Sequence, residues 1–175
     1  ATPFVGPGGY GKSTLLAGWV TKYMAQTGNH NDIIIFIPAA TLENTAHTLP
    51  FFDSWLLALL GIDSCHNFFE CIGESLYAPI GKFILVIDAL DELTDVGTKS
   101  NKIFTGLHQF IKQVSSEEQR IKVIVSSRYA TWRHFFNESA SHEDWYFADE
   151  TYFTSSDANM PPFNDREIQL VLDNT

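Results

Sequence analysis

Gly6-Pro7-Gly8-Gly9-Tyr10-Gly11-Lys12-Ser13-Thr14 is the stretch on which the reading of this chain turns. It satisfies the pattern GxxxxGK[ST] in full. Such a loop must wrap an anion with its N–H groups pointing inward, which needs backbone conformations that glycine adopts at little steric cost. A helix must then open directly, because its free N-terminal N–H groups extend the same anion site. The flanks agree. Phe4-Val5 is a short apolar stretch before the loop. After it, Lys12 to Gln26 carries Leu15, Leu16, Trp19, Val20 and Tyr23 at helical spacing, with Gly28 as the expected C-terminal stop. Gly6, Pro7, Gly8, Gly9, Tyr10, Gly11, Lys12, Ser13 and Thr14 are therefore the candidate phosphate-binding residues. Lys12 sets a cation against the β and γ phosphates, and Ser13 offers a hydroxyl to Mg²⁺. Thr14 is a supporting hydroxyl, and Tyr10 is expected to face solvent.

The second informative stretch is Phe83-Ile84-Leu85-Val86-Ile87-Asp88-Ala89-Leu90-Asp91-Glu92. An unbroken apolar run reads as a strand covered on both faces, and it stops at a carboxylate. Ligands of open α/β sheets bind at the C-terminal ends of strands, so Asp88 falls on the ligand edge. Beside a phosphate loop such an Asp holds Mg²⁺. Asp91 and Glu92 are candidates for orienting or deprotonating an attacking water, the competing reading being a solvated acidic turn.

Around these two stretches, strands are expected at Asp32–Ile37 and Ile121–Ser126, and more weakly at Asp144–Phe153. Helical patterns cover Phe51 to Leu60 and Asn101 to Val114. The first strand is expected to be short, with only Thr2–Val5 ahead of the glycines. Alternating β and α elements predict an α/β fold with a parallel sheet and right-handed crossovers. Near the other end, Asn164 and Glu167 resemble a capping box, and Ile168, Val171 and Leu172 begin an apolar stripe. This predicts a module spanning 1–160, with 161–175 opening a following helical domain, both taken from a longer protein.

Composition narrows the function classes. The 175 residues are 45% hydrophobic and 14% aromatic, enough to build a core. The net charge of −10 argues against nucleic-acid or anionic-membrane binding, which rests on dense basic patches. The longest apolar runs, Ile33–Ile37 and Phe83–Ile87, are too short to span a membrane, and no signal peptide is visible at the start. Cys65 and Cys71 form no CxxC and read as two reduced, partly buried thiols, which favours a reducing, cytoplasmic setting. The six histidines show no zinc spacing. Tyr129, Trp132, Phe135 and Phe136 read as packing residues.

Taken together, Gly6-x-x-Gly9-x-Gly11-Lys12-Ser13, Asp88-Ala89-Leu90-Asp91-Glu92 and Val123-Ile124-Val125-Ser126-Ser127-Arg128 resemble the NACHT class of STAND signalling NTPases. The resemblance runs from Gly6 to Pro162-Phe163. It implies a three-layer αβα P-loop NTPase fold with a mostly parallel five-stranded sheet in the order 5-1-4-3-2, which sets the Asp88 and Arg128 strands side by side. It implies ATP or ADP with Mg²⁺ as ligands: Lys12 on the phosphates, Ser13 and Asp88 on the metal, Asp91 and Glu92 on the hydrolytic water, and Arg128 reading the γ-phosphate. A guanidinium at a strand tip can indeed bind phosphate bidentately. The resemblance further implies effector and sensor domains outside this chain, and homo-oligomerisation of the parent controlled by ADP/ATP exchange. Rival classes fit less well. A GTPase needs DxxG and NKxD, a transporter ATPase an LSGGQ-like segment, and an AAA+ motor a Glu directly after the strand Asp. A P-loop small-molecule or nucleic-acid kinase stays open, with Arg128 and Arg133 as its only candidate lid arginines, as does a nucleotide-binding scaffold without turnover.

Overall fold

The computed structural model describes residues 2–26, 31–45, 52–62, 67–73, 81–95, 97–117 and 120–133. In chain order these form β1 (Thr2–Val5), α1 (Lys12–Gln26), β2 (Ile33–Pro38), α2 (Ala40–Thr45), α3 (Phe52–Leu59), α4 (Phe68–Gly73), β3 (Phe83–Asp88), a 3-10 turn (Leu90–Asp95), α5 (Gly97–Glu117), β4 (Ile121–Ser127) and α6 (Tyr129–Trp132). The strands make one parallel sheet in the order β1-β4-β3-β2. The expected sheet had five strands. Four are present among the described residues, and the stretch expected to add the fifth, 144–153, lies outside them, as do Gly28, Phe135, Phe136 and 161–175.

β3 explains the sheet. All six of its residues are buried, because both faces are covered by helices. Phe83, Leu85 and Ile87 face one way, beside Ile121, Val123 and Val125 of β4, and join Leu56, Phe68, Leu107, Phe110 and Ile111 in the larger core. Ile84 and Val86 face the other way, onto Leu16 of α1, with Trp19, Val20 and Tyr23 packed alongside. Strand alternation therefore sends successive residues of one apolar run into two separate cores.

The larger core is aromatic at its centre. Phe68 is fully buried, with ring centroids 5.0 Å from Phe83 and 5.7 Å from both Phe69 and Phe110. Edge-on and tilted rings at such distances add quadrupole attraction to area burial. Trp132 is buried in the same core with Tyr129 packed against it, the packing role expected of them.

The N-terminal ends of β2 and β3 are tied to α1 through Asp32. Its Oδ2 accepts from the Tyr23 hydroxyl at 2.7 Å, and its Oδ1 accepts from the Lys82 N–H at 2.7 Å. The Tyr23 hydrogen bond, with the Lys82 N–H second, holds the Asp32 carboxyl below its ordinary pKa of 3.8. The same bond raises Tyr23 above its ordinary 10.0.

One expectation is corrected. Cys71 is disulfide-bonded, not a reduced thiol. The only other cysteine, Cys65, lies outside the described residues. Disulfides persist in oxidising surroundings, so the cysteines no longer favour a reducing compartment. No helix among the described residues is long and apolar enough to cross a membrane.

Two outcomes follow from this packing. Phe68→Ala removes the ring at the centre of the aromatic cluster and should cost about 3–5 kcal/mol in urea unfolding. The Tyr23–Asp32 bond needs a protonated phenol and an ionised carboxylate. The Asp32 contribution is complete above pH 3.8 and fades as pH falls through its lowered native value. The Tyr23 contribution is complete below pH 10.0 and fades as pH rises through its raised native value. Tyr23→Phe should therefore lower the melting temperature near neutrality and remove part of its fall at both extremes.

Candidate functional site

The C-terminal ends of β1, β3 and β4 lie together. Val5 is in register with Ser127 and Phe4 with Ser126, while Ile87 is in register with Val125. Gly6 N–H continues the β1 ladder onto the Ser127 carbonyl at 3.2 Å. The loop of Gly6 to Gly11 thus leaves the sheet next to the tips that carry Asp88 and Arg128.

Gly9 and Gly11 have φ of +79° and +74°. These left-handed conformations strain any residue with a Cβ and turn the loop back to start α1 at Lys12. Among the described residues no N–H from Gly8 to Thr14 has a hydrogen-bond partner; the first bond at the helix entry runs from Leu15 N–H to the Gly11 carbonyl at 2.9 Å. A run of unpaired N–H groups continuous with a helix N-terminus carries positive potential suited to an anion. Pro7, Gly8, Gly9, Ser13 and Thr14 are exposed, and Tyr10 is half-buried where full solvent exposure was expected.

The Lys12 side chain folds back over this loop. Its ammonium donates to the Gly6 and Pro7 carbonyls, both at 2.8 Å, with the residue only 9% exposed. Burial lowers its pKa from the usual 10.5; Asp91 opposes the shift most, Arg128 adds to it, and Asp88 opposes it less. Lys12, Asp91, Arg128 and Asp88 therefore share one electrostatic neighbourhood.

Arg128 reaches across that neighbourhood. Its Nε pairs with Asp91 Oδ2 at 2.8 Å, and its N–H donates to Asp91 Oδ1 at 3.0 Å. A Cβ on Gly8 would stand 3.3 Å from the same Nε, so the guanidinium lies over the loop. The Arg128 side chain is 63% exposed, which leaves it accessible to a ligand.

The acidic residues are held by a buried staple. Leu90 and Leu93 are both fully buried. Residues three apart lie on one side of a 3-10 turn, so their burial leaves Asp91 half-buried and Glu92 exposed on the rest of its surface. The Glu92 carboxylate has no partner among the described residues. Asp91 and Glu92, expected to act together on water, are thus placed differently: both oxygens of one contact Arg128, and the other has no partner among the described residues.

Sequence reasoning missed what Ser126 does. It is fully buried, its hydroxyl donates to Asp88 Oδ1, and its oxygen accepts from the Ala89 N–H at 2.8 Å. Ala89 sits at φ +57°, a left-handed conformation for a residue with a Cβ. Bonds on either side fix it: Ala39 N–H to the Asp88 carbonyl at 2.8 Å, and Glu92 N–H to the Ala89 carbonyl at 2.9 Å. The available signal was a serine ending one apolar strand beside a strand that ends in a carboxylate.

A divalent cation fits the donor set. Ser13 supplies an exposed hydroxyl, and Asp88 Oδ2 accepts no hydrogen bond from the described residues. Among those residues no group of three His, Cys, Asp or Glu could hold a metal by itself. One carboxylate and one hydroxyl suit Mg²⁺, which takes its other oxygens from phosphate and water. No protein-family model matches the chain, and no curated protein matches it.

The strain at Ala89 can be measured. A left-handed residue with a Cβ costs about 1–2 kcal/mol, and glycine costs about 0.5–1 kcal/mol in lost freedom. Ala89→Gly should thus leave stability unchanged or raise it by up to about 1.5 kcal/mol on these terms. Ala89→Val should lower it, as urea denaturation of the two variants will show.

Proposed function

We propose that this chain is the nucleotide-binding module of a NACHT-type STAND NTPase, a three-layer P-loop fold that binds ATP with Mg²⁺ and hydrolyses it slowly. ADP/ATP exchange would then govern oligomerisation of a larger parent protein carrying effector and sensor domains. The observation that carries this reading is the run of N–H groups from Gly8 to Thr14 that have no partner among the described residues, beside a buried Lys12 ammonium held on the Gly6 and Pro7 carbonyls in the field of Asp91, Arg128 and Asp88.

Each residue has a role its position supports. The loop N–H groups and the start of α1 take the β and γ phosphates, and Lys12 exchanges its two carbonyl partners for phosphate oxygens. Ser13 and Asp88 would hold Mg²⁺, which would supply charge neutralisation on the phosphates. Arg128, already over Gly8, turns to the terminal phosphate. Glu92 is the carboxylate free to accept a proton from the attacking water, and Asp91 orients Arg128.

Calorimetric titration and phosphate release test the reading. A charge-assisted phosphate contact is worth about 1.5–3 kcal/mol, so Lys12→Ala should weaken Mg²⁺–ATP binding by roughly 10- to 150-fold. Glu92→Gln should bind ATP like the parent chain and lose phosphate release. Undiminished ATP affinity in Lys12→Ala would remove the site. Wild-type binding without phosphate release would favour a scaffold, and transfer of phosphate to an acceptor would favour a kinase.

A further inference from the structure

We propose that Ser126 is a positioning residue for the metal carboxylate, fixing Asp88 so that Oδ2 alone is presented to a divalent cation; this rests on the nucleotide-binding reading above. The juxtaposition is specific. Ser126 is fully buried, and Asp88 is only 7% exposed. A buried carboxylate depends on hydrogen bonds to hold its orientation. Among the described residues the Ser126 hydroxyl is the only donor to the Asp88 carboxylate. It engages Oδ1, which fixes the rotation of the carboxylate and leaves Oδ2 as the oxygen with no hydrogen bond from the described residues.

The same hydroxyl does a second task. A serine oxygen can donate once and accept twice. Ser126 donates to Asp88 and accepts from Ala89 N–H, so one atom grips both sides of the left-handed turn that follows the strand. That turn leads into the segment carrying Asp91 and Glu92. Among the described residues the Ser126 hydroxyl bonds to Asp88 and Ala89 and to no group of the loop or Lys12. Its loss should therefore fall on metal binding and leave the phosphate cradle intact.

The effect should follow that of other groups that orient metal ligands, about 10- to 100-fold in metal affinity. The test titrates ATP calorimetrically into the full chain at a series of Mg²⁺ concentrations, and again in EDTA. Ser126→Ala should shift the Mg²⁺ midpoint upward by about 10- to 100-fold. Its ATP affinity in EDTA should stay at the wild-type value, and saturating Mg²⁺ should restore wild-type ATP binding. Hydrogen exchange supplies a readout that needs no ligand: the Ala89 amide should lose protection while the Leu85 and Val86 amides keep theirs, which also shows that the variant is folded. An unchanged Mg²⁺ midpoint in Ser126→Ala, with Mg²⁺-dependent binding in the wild type, would overturn the positioning role alone. An equal loss of ATP affinity with and without Mg²⁺ would also overturn it, because a merely structural defect behaves that way. Wild-type ATP binding that ignores Mg²⁺ would overturn the metal role of Asp88 and with it this inference, and a wild-type chain that binds no ATP at all would overturn the nucleotide reading as well.

Discussion

A central strand covered on both faces meets water only where it stops. That constraint organises this protein. Phe83–Asp88 is buried along its whole length between two cores, so a charge on it could be placed only at an end. It is placed at the C-terminal end, beside the loop from β1 and the tip of β4. The apolar residues of the strand thus determine where the carboxylate can go, and the neighbouring strands determine what it meets there.

What it meets is a set of opposing demands settled by hydrogen bonds. The Lys12 ammonium is nearly buried and leans on two loop carbonyls. Asp88 is nearly buried and leans on a serine hydroxyl. Arg128 is mostly exposed and pairs with Asp91. The exposed pair contributes little to stability, because solvent screens it and ordering two side chains costs entropy. A weakly held guanidinium is well suited to exchange one anionic partner for another. The strain stored at Ala89 is confined to the same few residues, where bonds from Ser126, Ala39 and Glu92 over-determine the turn.

Much of this was legible in the sequence. The α1 helix begins at Lys12 and ends at Gln26, the bounds its apolar spacing predicts. The strands at β2, β3 and β4 fall within a residue of their apolar runs. Other parts left weaker traces. α5 starts at Gly97, four residues before its first expected position, because Gly97, Thr98, Lys99 and Ser100 carry no apolar period. α2 and α4 are six residues each, too short for a helical repeat to register. The 3-10 turn could have been read from Leu90 and Leu93, three apart and both apolar, but a two-residue signal is easily taken for a loop. Within the site, residue types were visible and pairings were not. The sequence sets Asp91 beside Glu92; only the fold gives one to Arg128 and leaves the other without a partner among the described residues. Ser126 looked like the end of a strand until strand pairing placed it against Asp88.

The central claim is that three strand tips act on one nucleotide. Backbone amide shifts on adding ATP with Mg²⁺ to the labelled chain test it most directly. The account predicts that Gly8 through Thr14, Asp88 through Glu92, and Arg128 shift together along one saturation curve, while β3 amides toward Phe83 stay still. Shifts confined to one of these segments, separate curves for each, or no response to ATP would contradict it.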